Sequence, residues 1–293
     1  MTILHQWDHN EHRNVLFTCS RSEEKLSAFL NDDYNFEGCL RLLSLTDQVK
    51  VRNVKHNKKH ALLSRLFMKI VLNSVLAKLS DGSKPGIWDD IDFEFSEHGK
   101  PQLPGSPFAF NNSNSNDLAC IAISLDSEAV GIDLSHEEQD SISSTGFMDE
   151  FAGIFSDSEA TQLQAIEDRD KAYVAFNHLW TLKEAFTKYL GTGLNIDLSS
   201  FSFGLASLPT ERHLPKEIAN PFTLYPINWV ESSIDYSKVD HDLLKSKSQL
   251  HCYSATLKSS GKLPVIASII SDRPGNAIGI HIDFYEILKK EVA

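Results

Sequence analysis

Cysteine is scarce in this chain, and the four present, Cys19, Cys39, Cys120 and Cys252, lie too far apart for a zinc knuckle or a redox pair. They read as reduced, buried thiols. No apolar run is long enough to cross a bilayer, and the first residues, MTILHQWDHNEHR, lack the basic-then-apolar order of a secretory leader. A cytoplasmic protein with no membrane partner is the expectation. Excess positive charge is missing as well: a formal charge of -12 argues against nucleic acid as a partner, since such binding rests on neutralising phosphates. Compact Walker A loops and internal repeats are also missing, which disfavours an ordinary nucleotide kinase and a solenoid.

What is present is a folded chain, 41% hydrophobic and 23% charged over 293 residues, long enough for one large domain or two packed halves. The organising stretch is AFNHLWTLKEAFTKYLG, residues 175–191. Phe176, Leu179, Phe186 and Leu190 recur at helical intervals and form a core-facing side. Trp180, Glu184 and Lys188 share a neighbouring face, which sets a carboxylate one turn from an ammonium, with Lys183 beside it. Such a pattern also suits an ordinary solvated surface. Gly191 is placed for a left-handed C-cap and Gly193 follows as a second permissive position.

Earlier in the chain the bases Arg41, Lys50, Arg52, Lys55, Lys58, Lys59, Arg65, Lys69 and Lys78 face Asp47 alone, a patch suited to a phosphorylated small molecule or an acidic protein. Within it the spacing predicts a helix over 58–79, capped by Asn57, with Arg65 and Lys69 as candidates for phosphate contact. Strands are predicted at 15–18, 91–95, 118–125, 129–134, 198–203, 222–224, 250–257 and 263–270, a short helix at 23–30, and a strand with a short helix over 278–288. The polar run Asn111-Asn-Ser-Asn-Ser-Asn-Asp117 reads as a loop whose amides and hydroxyls suit either a phosphate or solvent. Carboxylates crowd the stretch 135–150, expected to face water, and Ser156-Asp-Ser-Glu159 forms a capping box with Phe155 as its staple.

Ordered blocks then add up. Gly99-Lys100-Pro101, Phe110-Asn-Asn-Ser-Asn114, Val130-Gly-Ile-Asp133, Phe155-Ser-Asp-Ser-Glu159 and Trp180-Thr-Leu-Lys-Glu-Ala-Phe-Thr-Lys188 before Gly191-Thr-Gly193 resemble the 4′-phosphopantetheinyl transferase superfamily in its larger form. The resemblance implies an α+β fold: two similar α/β lobes in a pseudo-twofold relation, each an antiparallel sheet packed on helices, here 1–125 and 126–293, with the active site at their junction. It implies transfer of 4′-phosphopantetheine from coenzyme A, with Mg2+, to a serine of an apo carrier protein, leaving 3′,5′-ADP. One chain would hold both lobes, so a monomer would suffice.

By the same resemblance Asp133 and Glu184 match the metal carboxylates, and Lys188 a substrate- and phosphate-binding cation with Lys183 as its neighbour. Lys50 or Arg52, with Arg65, Lys100, Ser113 and Asn114, would bind coenzyme A. Glu184 would act as ligand, proton acceptor or both, since a pyrophosphate centre needs charge neutralised and the serine must lose a proton. Three positions depart from the pattern: Ser135 stands where many members have a second acid after the aspartate, Asn114 where a histidine is usual, and Asn57 where an acid often precedes the basic helix. Water can complete the coordination of Mg2+. Loss of the third acid is shared with the lysine-biosynthesis-linked eukaryotic members, which points to the carrier domain of α-aminoadipate reductase. The rival reading is a non-catalytic coenzyme-A or carrier-binding module.

Overall fold

Apolar runs and helical periodicity sort the chain into helices and short strands. The computed structural model describes residues 4–115, 117–136, 151, 153–215, 220–245, 249–259 and 262–292. In chain order these form β1 (Asn14–Ser20), α1 (Glu24–Phe29), α2 (Asp33–Leu40), α3 (Leu45–Asn53), α4 (Lys58–Leu79), the two-residue strands β2 (Glu94–Phe95) and β3 (Pro101–Gln102), β4 (Phe108–Ser115), β5 (Leu118–Leu125) and β6 (Val130–His136). Beyond them come α5 (Asp157–Gln164), α6 (Arg169–Leu190), β7 (Ser202–Gly204), β8 (Glu211–His213), β9 (Phe222–Tyr225), β10 (Val230–Asp235), α7 (Asp242–Lys245), β11 (His251–Lys258), β12 (Val265–Ser271), β13 (Ile278–Ile282) and α8 (Phe284–Val292). The carboxylate-rich stretch expected to face water lies, over 137–150, outside the described residues.

Helices pack on two sheets, an α+β arrangement. The first runs β4-β5-β1-β13-β9, antiparallel except where β1 lies parallel to β13. The second runs β6-β12-β11-β10-β7, antiparallel, with β8 added parallel to β11. Each sheet has one 22-residue helix in its core. Helix α4 buries Leu62, Leu66, Phe67, Ile70 and Val71 with Val15, Phe17, Ile121 and Ile123. Helix α6 buries Phe176, Leu179, Leu182 and Phe186 with Cys252 and Ile270. The four cysteines are free and buried, as expected.

Several local expectations change. The polar run after Phe110 is strand through Ser115, because its side chains have structural partners: Ile132 N donates to Asn111 Oδ1 (3.0 Å) and Leu134 N to Ser113 Oγ (3.2 Å). Those bonds stitch β4 to the free edge of β6 and join the two sheets. Asn57 precedes α4 but stands in the left-handed region (φ 57°) and makes no side-chain cap. The strand expected at 198–203 starts as a 3-10 turn, Leu198–Ser200, where the Lys183 ammonium takes the Leu198 and Phe201 carbonyls. Only Glu94–Phe95 of the strand expected at 91–95 is paired. Helices α2, α3 and α7 and strands β8 and β10 carry too little periodicity to be read from sequence. The Ser156 capping box, the left-handed Gly191 (φ 76°) and both long helices form as expected.

Candidate active site

Close approach of α6 to β6 brings the motif residues together. Gly131 makes this possible: a Cβ there would collide with the Ala185 carbonyl and the Tyr189 amide of the helix. Two residues on, Asp133 is 7% exposed, and its Oδ1 accepts from Lys188 Nζ (2.6 Å) and Ser113 Oγ (3.0 Å). Lys188 also donates to Ser113 Oγ at 3.2 Å. Strand β4, strand β6 and helix α6 thus each contribute one side chain to a single cluster.

Glu184 lies one turn before Lys188 and is half-buried. Burial raises its pKa first and the nearby Asp133 charge raises it further, while Lys188 opposes both. Asp133 is likewise raised by burial, against the pull of Lys188, Ser113 and the Leu134 amide. Two carboxylates that resist ionising beside each other form a donor set that a hard divalent cation would satisfy. Among the described residues no group of three or more His, Cys, Asp or Glu could hold a metal. Asp133 and Glu184 alone would be too few to enclose a metal, and would suit only an ion that, like Mg2+, keeps several waters and takes substrate phosphate oxygens.

Beside this cluster opens a cleft of about 850 Å³ lined by Arg21, His56, His60, Arg65, Lys262 and Asn114 among others. Asp133 and Glu184 lie outside its lining; Asn114 and His136 bring it to the strands that hold Ser113 and Asp133. Its cations outnumber its acid, Asp117, in a chain of net charge -12. Arg21, His60 and Lys262 escaped the sequence reading, because they belong to three separate stretches of the chain and only the fold converges them. Arg21 is 6% exposed and donates to Ser64 Oγ at 3.2 Å. Burial, and then the charge of Arg21, lowers the pKa of His60.

Of the residues expected from sequence, Asp133, Glu184, Lys188 and Ser113 come together, and Asn114 and Arg65 line the cleft. Arg65 Nε also pairs with Asp47 at 3.4 Å. Others are placed elsewhere. Lys183 has no exposed surface; its ammonium meets Glu159 (2.8 Å) and the Phe201 ring on the far side of α6. Adjacent residues on a helix point about 100° apart, so Lys183 cannot share the Glu184 face. Lys100 is turned onto backbone carbonyls. Arg52 makes a two-pronged pair with Glu37 (2.9 and 2.6 Å) and Lys50 pairs with Asp47 (3.7 Å). Lys69 is held by Asp90 and the Leu42 carbonyl, which removes it from phosphate contact. Trp180 stands edge-on against Phe151.

Comparison with known proteins bears on this arrangement. A 4′-phosphopantetheinyl transferase superfamily model matches residues 129–233. An L-aminoadipate-semialdehyde dehydrogenase-phosphopantetheinyl transferase from Candida glabrata is 30% identical over 206 residues, 69% of this chain and 74% of that protein. The chain belongs to the 4′-phosphopantetheinyl transferase superfamily. The identically named protein of Eremothecium gossypii is 31% identical over 184 residues, 62% of this chain and 63% of its own length. The match to that relative therefore stops short of two thirds of it. The 4′-phosphopantetheinyl transferase Sfp of Bacillus subtilis is 39% identical over 118 residues, 40% of this chain and 48% of its own. The superfamily match includes Asp133, Glu184 and Lys188 but not β4 or α4, which supply Ser113, Asn114 and Arg65.

Proposed function

We propose that the protein transfers the 4′-phosphopantetheine group from coenzyme A to a serine of an apo carrier protein, giving the holo carrier and 3′,5′-ADP. The supporting observation is the Asp133, Lys188 and Ser113 cluster beneath Glu184, beside a cationic cleft, in a member of this superfamily. Arg21, Arg65, Lys262 and the cleft histidines suit the phosphates of coenzyme A. The serine oxygen attacks the pantetheine-bearing phosphorus, the bridging P–O bond breaks, and 3′,5′-ADP leaves with the bond's electrons. The serine proton passes to Glu184, directly or through water. Lys188 restrains Asp133 and offsets charge developing on the transferred phosphoryl. Asp133 and Glu184 would hold Mg2+, which would neutralise pyrophosphate charge when bound.

The finer reading has two similar lobes, 1–125 and 126–293, in a pseudo-twofold relation with the site at their junction. One 22-residue helix in the core of each sheet supports it. On this reading β9, β13 and α8 cross back to complete the first lobe. The same reading takes the protein as a monomer acting in the cytoplasm on the carrier domain of α-aminoadipate reductase, in lysine biosynthesis; the name of the fungal relatives, L-aminoadipate-semialdehyde dehydrogenase-phosphopantetheinyl transferase, supports the target alone. No helix among the described residues is long and apolar enough to cross a membrane. Intact-mass measurement of apo carriers incubated with protein, coenzyme A and Mg2+ tests the reaction. The α-aminoadipate reductase carrier should gain phosphopantetheine ahead of fatty-acid and peptide carriers. Asp133→Ala and Glu184→Ala should each reduce transfer by about 10²-fold or more with an unchanged circular dichroism spectrum. Binding of both reactants with no product on any carrier would favour the non-catalytic module.

A further inference from the structure

Helix α6 ends at Gly191, and its last-turn carbonyls need partners from outside the helix. Thr187 O is met by the amides of Gly191 (2.8 Å) and Thr192 (3.1 Å). The next two, Lys188 O and Tyr189 O, are met by a side chain from a remote hairpin: Lys100 Nζ donates to them at 2.6 and 3.2 Å. Its remaining bond goes to Val130 O at 3.2 Å, the first residue of β6. An ammonium has three N–H donors, and these three carbonyls use them all. None is left for a phosphate.

The attachment points matter because of what they carry. Val130 stands three residues before Asp133 on β6, and Lys188 is the residue whose ammonium holds Asp133. Between the attachment points Gly131 lets strand and helix touch, and the Lys100 stem passes beside Gly191 at the helix end. A cation at a helix C-terminus is also favoured by the negative end of the helix dipole. Burial pulls the pKa of Lys100 down to about 8.

We propose that Lys100 is a positioning residue: by clamping the end of α6 to the start of β6 it sets the separation of Lys188 and Glu184 from Asp133. The proposal rests on the transfer reaction above for its kinetic consequence, but the clamp itself does not. Such a residue acts on turnover, whereas a coenzyme-A ligand acts first on affinity.

The test compares Lys100→Met and Lys100→Gln with the wild-type protein, using coenzyme A, Mg2+ and an apo carrier. Positioning predicts kcat per folded molecule lower by about 10-fold or more in Lys100→Met, with KM for coenzyme A changed by no more than about twofold. Lys100→Gln, which keeps N–H donors, should recover part of the loss. Wild-type kcat in folded Lys100→Met would overturn the proposal, as would a raised KM with kcat intact, the signature of a phosphate ligand. Failure of both variants to fold would also overturn it, making the lysine a requirement of the fold. Hydrogen exchange over residues 130–134 and 185–191 supplies an activity-independent measure. Faster exchange there in Lys100→Met upholds the clamp even if the wild-type protein modifies no carrier, an outcome that would count against the transfer reading alone; unchanged exchange overturns the clamp.

Discussion

Glu184 and Lys183 are neighbours in sequence with opposite duties. Glu184 is kept from ionising easily by burial and by Asp133, so its proton is bound more tightly in the native state than in the unfolded chain. A raised native pKa means stability that is complete below the ordinary carboxylate range and is lost as pH rises through the native value. Glu184→Gln should therefore melt above the wild type near pH 7 in the absence of divalent ions, and the gap should close as the pH is taken to about 4. Thermal melts across that range check the sign; a gap that widens toward acid would contradict it. Lys183, by contrast, is sealed against Glu159, and Lys183→Met leaves that carboxylate buried with its main charge partner gone. The expected cost is about 3–5 kcal/mol of unfolding free energy, read by urea titration, with little change in the coenzyme-A KM of the folded fraction. The sequence blocks presented Lys183 and Lys188 alike as cations near Glu184. Which one faces the site depends on what packs against each side of α6, and Glu159 and Phe201 come from outside the helix.

At the scale of elements, the pairing of β6 with α6 decides whether a site exists. Gly131→Ala would press a methyl group into the helix backbone at Ala185 and Tyr189, where no flexible side chain can give way. We expect a loss of about 1–3 kcal/mol or more in stability, and a larger proportional loss of transfer because Asp133 rides on the displaced strand. Urea denaturation and turnover measured on one preparation check both. The long helices and the buried strands were legible because period and length agree over many residues, as in α4 and α6. Strand β4 is hidden in the sequence because a polar run suits a loop open to phosphate or solvent, whereas Asn111 and Ser113 spend their polar atoms on the β6 edge. Short pieces such as β8 and β10 owe their form to β11 and have little signal of their own.

Across the whole molecule, the first sheet is completed by late segments. Strand β13 lies between β1 and β9, and α8 joins the same core through Phe284, Ile287 and Leu288. Truncation after Ala277 should leave the β1 edge and that core open, giving protein that is recovered aggregated or without a cooperative melt. Soluble protein with a wild-type transition would contradict this. Local periodicity reveals a strand at 278–282 but not its neighbour, because pairing between distant segments leaves no mark on either one alone.

The hydroxyl of Thr18 meets the His281 ring across 263 residues of sequence. A nascent chain can build its early helices as they emerge, yet the seat beside β1 stays vacant until residues 278–282 have left the ribosome. Competence for catalysis would then wait on that strand and arrive all at once with it, and a chain cut short before it would be refuse for proteolysis rather than a slower enzyme.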